Sequence, residues 1–249
     1  MIVPKLYGRL GNQCFQVAAA IAHAKKMSAN WAIPRSTNDI RIWPNYFLRT
    51  VRRENITMYS TRSFYDEPRH SYDTLPELRD LTINGYFQSE KYFLDAKEEI
   101  GNALGFHCKK QDYIAIHVRR GDYVTQFSDK HPPLDLSYYA DAIKGFIGNG
   151  FKIFKIYSDD IVWCKENFGK NYFYFAKFKY SDIKDPLTDM RDMYNASGFI
   201  ISNSTFSLFP ALLRLDNPVT IAPAESRWYG PGNAHLETND LMPERFIKI

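Results

Sequence analysis

The stretch Tyr113-Ile114-Ala115-Ile116-His117-Val118-Arg119-Arg120-Gly121-Asp122-Tyr123 decides the fold class of this chain. Its first part, Tyr113–Val118, is a continuous apolar run that reads as a strand buried on both faces. Its second part gathers a histidine, two arginines and an aspartate within six residues, a set too costly to bury without partners. An apolar strand ending in such a cluster is the pattern of a parallel sheet with ligand-binding groups beyond its carboxyl end. C-terminal to it, strands and helices alternate. Helices are expected over Asp135–Ile147 (closed by Gly148), Asp160–Phe168 (closed by Gly169), Asp185–Asn195 and Thr205–Leu213. Strands are expected over Lys152–Tyr157, Tyr172–Phe175, Phe199–Ser202 and Val219–Ala222. This alternation implies βαβ units and one doubly wound parallel sheet. Pro210 falls inside the last helical pattern, where it should occupy the first turns or bend the helix.

N-terminal to the same stretch, the polar and basic segment Phe106–Asp112 marks a candidate boundary. Before it, Ile2–Tyr7 reads as a strand ended by Gly8, followed by a helix rich in small residues from about Asn12 to Met27. Trp31–Ile33 and Thr82–Phe87 read as strands, and Glu90–Leu104 as a helix with Ser89 as its N-cap and Gly105 as its stop. Arg35–Leu81 has weak periodicity and reads as loops and short elements. Two α/β domains result, residues 1–110 and 111–249.

Composition excludes several classes. With 45% hydrophobic and 24% charged residues, the chain is globular rather than disordered, collagen-like or a disulfide framework. A net charge of +4 is too small for a nucleic-acid binder. Five arginines between Arg41 and Arg62 read as a solvated face. Three cysteines without a CxxC pair fit a reducing compartment, and no Cys or His spacing suggests a metal site. No apolar run approaches the ~18 residues of a membrane span, and no signal-peptide pattern is present, so a soluble, cytoplasmic protein is expected, with peripheral membrane association left open. Aromatic residues make up 16% of the chain, a supply of rings for both core packing and carbohydrate contact.

Four strand-to-helix junctions hold the candidate chemistry. In the first, His117 and Arg119 fall on the same side of an extended strand and Arg120 on the other, offering an arginine fork to a phosphate or an internal Arg–Asp pair. Gly8-Arg9-Leu10-Gly11-Asn12-Gln13 joins a strand to a helix, as an anion-binding loop or a plain turn with a capping Asn. It lacks the GxGxxG and GxxxxGK[ST] spacings. Ser158-Asp159-Asp160 offers carboxylates to a helix N-terminus, a metal or the adjacent N–H donors of guanine, and no DxD triplet occurs. Ser202-Asn203-Ser204-Thr205-Phe206-Ser207 is either a phosphate cradle or a simple cap.

Five blocks in order resemble the α-1,2-fucosyltransferases of glycosyltransferase family 11. They are GRLGNQCFQVA (Gly8–Ala18), GYFQSEKYF (Gly85–Phe93), IHVRRGDY (Ile116–Tyr123), YSDD (Tyr157–Asp160) and DMYNASGFIISNSTFSLFPALL (Asp192–Leu213). The resemblance implies a GT-B-like α/β fold, two Rossmann-like domains facing across a cleft. The N-terminal domain would lie on the acceptor side, and the C-terminal one would bind GDP-fucose. It implies inverting transfer of L-fucose from GDP-β-L-fucose to the 2-hydroxyl of a galactoside-terminated glycan, without metal or other cofactor. It also implies residue roles. Arg119 contacts the donor diphosphate, with Arg120, His117 and Asp122 shaping the pocket. Asp159 or Asp160 reads guanine. Ser204 and Thr205 hold phosphate, and Arg9, Gly11 and Asn12 close the site from the N-terminal side. The general base is expected to be Asp122 or His117. The oligomeric state is not implied.

Overall fold

The apolar N-terminal segment forms strand β1 (Ile2–Pro4), buried throughout, and Gly8 at φ +70° turns the chain into helix α1 (Leu10–Lys26). The small residues Ala18, Ala19 and Ala20 of α1 are fully buried and let it pack closely on β1. The computed structural model describes residues 1–36, 45–47, 49–58, 61–168 and 176–249. β2 (Ile33–Pro34) pairs in parallel with β3 (Ile56–Thr57), and Trp31 bridges in parallel to Ile2. β4 (Ser63–Asp66) and β5 (Leu81–Asn84) complete a parallel sheet of order β1-β5-β4.

Two expectations for this region need correction. The strand expected over Thr82–Phe87 stops at Asn84, and Phe87 adopts φ +52°. The helix expected over Glu90–Leu104 is broken into 3-10 turns at Glu90–Tyr92 and Leu94–Ala96 before α2 (Lys97–Leu104) begins. Tyr92, Phe93 and Ala96 are all buried there. Ser89 does cap the first turn, accepting from the Lys91 amide, and Gly105 at φ +74° ends α2.

The second region alternates as the sequence predicts. Its elements are β6 (Gln111–Val118), α3 (Gly121–Thr125), α4 (Leu136–Gly148), β7 (Ile153–Ser158), α5 (Ile161–Phe168), β8 (Lys177–Tyr180), α6 (Pro186–Met193), β9 (Ala196–Ile200), α7 (Thr205–Leu213), β10 (Thr220–Ala222) and β11 (Ile247–Lys248). All six strands are parallel, in the order β11-β10-β9-β6-β7-β8. Read from β8, this is the 3-2-1-4-5-6 order of dinucleotide-binding sheets, with its topological switch between β6 and β9. Ile114, Ile116 and Val118 of β6 face a core built with Tyr138, Ile143 and Phe146 of α4 and with Phe154 and Ile156 of β7. Pro210 lies inside α7, which it does not terminate. Strands β3, β4, β8 and β11 and helix α3 were not foreseen; Tyr172–Phe175 and Gly169 lie outside the described residues.

The chain forms two compact units: residues 1–107 with 237–243, and residues 108–236 with 244–249. Among the described residues, no helix is long and apolar enough to cross a membrane. The four described arginines of the basic stretch, Arg49, Arg52, Arg53 and Arg62, are exposed, as a solvated face requires. Cys14, Cys108 and Cys164 are not joined in disulfides.

Candidate active site

β6 and β7 end side by side, with Val118 in register with Ser158. Charged residues follow each strand, and they meet. The Arg119 guanidinium gives Nη2 to Asp122 Oδ1 at 2.5 Å and Nη1 to Asp159 Oδ2 at 2.7 Å. Its plane also lies over the Tyr123 ring, 5.0 Å from the centroid. Arg119 and Asp122 side chains are each only 13% exposed, so this pairing is partly desolvated and the arginine is held firmly. Gly121 leaves room for this pair: a Cβ there would come within 2.4 Å of Asp159 Oδ2, the oxygen that holds Arg119, and would have to displace it.

Arg120 turns the other way. Its Nε donates to Asp160 Oδ2 at 3.2 Å and its guanidinium stacks 3.8 Å from the centre of the Trp163 ring. Its backbone amide donates to Asp159 Oδ1. Asp160 is also the cap of α5, accepting from the Trp163 amide at 3.1 Å. Of the readings of the carboxylate pair, the helix cap is seen, at Asp160; in addition, Asp159 and Asp160 each secure an arginine, which the sequence did not announce. Among the described residues, no group of three or more His, Cys, Asp and Glu side chains is arranged to hold a metal ion.

His117 does not join Arg119 in one fork. Its Nδ1 lies between the hydroxyls of Ser202 (2.8 Å) and Ser207 (2.9 Å), and its ring packs on Phe206. Burial, with the nearby Arg119 charge, pushes its pKa down to about 3, so the imidazole is neutral at neutral pH. Ser204 caps α7, its Oγ accepting from the Phe206 amide, and Thr205 begins that helix just beyond β9. Arg119, Arg120, Asp122, Asp159, Asp160, Ser204 and Thr205 therefore all lie beyond the carboxyl ends of β6, β7 and β9, around the switch point, and His117 is the penultimate residue of β6 itself.

Arg9, Gly11 and Asn12 belong to the first unit, at the start of α1. Arg9 is the N-cap by position but makes no side-chain cap. Asn12 is not a cap either: its Oδ1 accepts from Gln88 Nε2 at 3.0 Å, and its side chain sits so close to Gly8 that a Cβ there would meet it at 2.5 Å.

Sequence reasoning missed Trp163 and His131, and although it named Ser202 and Ser207 within their block it did not pair them with His117. Trp163 stands three residues after a recognised residue, Asp160. His131 stacks on Tyr123, the ring that Arg119 also approaches, with centroids 4.9 Å apart and planes at 14°. No local signal marks it, since the loop that carries it is placed by Gly230 and Gly232. A Cβ on either would strike Asp129.

The sequence profile of Glycosyl transferase family 11 matches residues 2–230. The chain is 26% identical to an alpha-1,2-colitosyltransferase of Escherichia coli, over 100% of this chain and 99% of that protein. It is 24% identical to a galactoside 2-alpha-L-fucosyltransferase of Bos taurus, over 86% of this chain and 65% of that one. Among solved structures, NodZ alpha-1,6-fucosyltransferase soaked with GDP-fucose aligns with TM-score 0.49 and 12% identity, over 87% of this chain and 96% of that one. With a family match running from the first strand past the switch-point residues, the chain belongs to glycosyl transferase family 11.

Proposed function

We propose that this chain transfers an L-sugar of the fucose type from its GDP-activated form to the 2-hydroxyl of a terminal β-galactoside, with inversion at the anomeric carbon. The observation that carries the reading is Arg119, a nearly buried guanidinium held by Asp122 and Asp159 at the topological switch of a dinucleotide-type sheet. In such a displacement, negative charge grows on the departing diphosphate while the sugar gains oxocarbenium character. A fixed cation aimed at the phosphate is worth more in that transition state than in the ground state. Each terminal nitrogen of Arg119 carries a second N–H beyond the one given to a carboxylate, so the clamp and a phosphate contact are compatible. In this reading Arg119 supplies the charge that a divalent ion supplies elsewhere, and transfer proceeds undiminished in EDTA.

Ser204 and Thr205, with the first amides of α7, hold phosphate. Guanine falls to Asp159 or Asp160: both oxygens of each carboxylate already accept one donor, and each keeps a further lone pair for a guanine N–H. Asp122 is the better general base: the neutral, hydroxyl-bound His117 is a weak proton acceptor. Arg9, Gly11 and Asn12 serve the same reaction from the first unit.

The donor sugar has two candidates. Fucose follows from the motifs. Colitose, which is L-fucose without its 3-hydroxyl, follows from the relative matched along the whole chain. Purified protein is offered GDP-fucose and GDP-colitose, each with lactose and with EDTA, and the product linkage is read by NMR. An α-1,2-linked product from either donor is expected, and no transfer from both overturns the reading.

A further inference from the structure

The first unit carries a ring cluster that the donor chemistry does not use. Tyr7, Tyr86 and His70 follow the carboxyl ends of β1, β5 and β4, the three neighbours of one parallel sheet. Tyr86 is 37% exposed, a high value for a large ring in contact with two others. The Tyr7 ring meets it edge-on at 5.0 Å and the His70 ring at 5.6 Å. The turn that presents Tyr86 is rigid. Glu67 accepts from the Tyr86 amide at 2.7 Å and from the Phe87 amide, and Phe87 is locked at φ +52°. Gly85 is needed for this approach, because a Cβ would come within 2.4 Å of the Glu67 side chain. Polar groups continue from the rings. His70, whose pKa burial lowers so that it is neutral, hydrogen-bonds Gln88, and Gln88 donates to Asn12. An exposed ring on a fixed turn, bordered by uncharged imidazole and amide groups, is the chemistry of a carbohydrate subsite.

We propose that Tyr86, braced by Tyr7 and His70, is the platform for the terminal galactose ring of the acceptor; this rests on the galactoside reading above. The axial 4-hydroxyl of galactose leaves one face of C–H groups, which stacks on an aromatic ring, while the hydroxyls on its rim reach His70 and Gln88. Glu67 acts as a positioning residue through the backbone of the turn.

Two measurements on the whole protein test this. In saturation-transfer NMR with lactose, the H3, H4 and H5 protons of galactose should receive the strongest transfer from wild type and lose it in Tyr86→Ala, while Tyr86→Phe keeps it. In steady-state transfer, Tyr86→Ala should raise the acceptor KM about tenfold with the donor KM held within about twofold. Absence of lactose saturation in wild type, an unchanged acceptor KM in Tyr86→Ala, or a rise in donor KM instead each overturns the platform. Saturation in wild type without sugar transfer upholds the platform and overturns only the assigned reaction.

Discussion

Arg119 Nη1 and Asp159 Oδ2 stand 2.7 Å apart, a bond that ties the end of β6 to the end of β7. Two residues distant in sequence are thus brought into one clamp by parallel pairing alone. If that clamp stabilises the leaving diphosphate, Arg119→Ala lowers kcat by roughly a hundredfold to a thousandfold. Arg119→Lys restores little, since a point charge cannot span both carboxylates. Initial rates, with circular dichroism to verify folding, check both. Loss of the arginine also strands Asp122 and Asp159, so a fall in stability accompanies the loss of rate.

Gly121→Ala separates the geometry of the clamp from its charge. The new methyl must displace Asp159 Oδ2, a movable carboxylate end rather than backbone. Denaturation in urea should report a cost of about 1–2 kcal/mol. The rate should fall by about ten- to a hundredfold, because Arg119 loses one of its two anchors.

Asp160 caps α5, pairs with Arg120 and is a candidate for reading guanine, and different substitutions part the cap from the guanine role. Asp160→Ala removes the α5 cap and costs about 1 kcal/mol. Asp160→Asn keeps the cap, and its stability stays within about 0.5 kcal/mol of wild type. In calorimetry the same Asn variant should weaken GDP by about tenfold more than UDP, if the carboxylate reads guanine. Equal weakening of both nucleotides leaves Asp160 as cap and arginine partner only.

His117 predicts a pH effect on stability. Its folded pKa, about 3, lies below the unfolded value of 6.5, so the unfolded chain binds the proton more readily. The stabilisation is complete above about pH 6.5 and is lost as pH falls toward 3. His131, pushed down to about 4 by burial, adds in the same direction. By pH 4, His117 accounts for a loss on the order of 3 kcal/mol. Thermal midpoints between pH 7 and 4 should fall more steeply for wild type than for His117→Gln.

Much of the second unit was legible because a buried parallel strand writes a continuous apolar run, as in Tyr113–Val118, and its helices carry their own caps, as Asp135 does for α4. β4 escaped notice because Ser63-Phe64-Tyr65-Asp66 is an edge strand without a buried face, so no apolar alternation was imposed on it. The break after Glu90 escaped because Tyr92 and Phe93 both turn inward, a demand of packing that local propensity does not record. At the candidate site, the internal pair of Arg119 with Asp122 was among the readings of the cluster, and the pairing across to the end of β7 was not. That Arg119 takes Asp159 while Arg120 takes Asp160 follows from strand register.

Residues 237–243 belong with the first unit although the chain on both sides of them belongs to the second. Asp240 anchors this excursion, accepting from the Tyr72 amide and pairing with Lys91. The polypeptide consequently passes between its units three times, at 107/108, 236/237 and 243/244. Neither half is a cassette that one cut can release. A chimera that grafts the second unit from a relative has to splice at all three crossings, or it leaves Lys91 and the Tyr72 amide without their carboxylate.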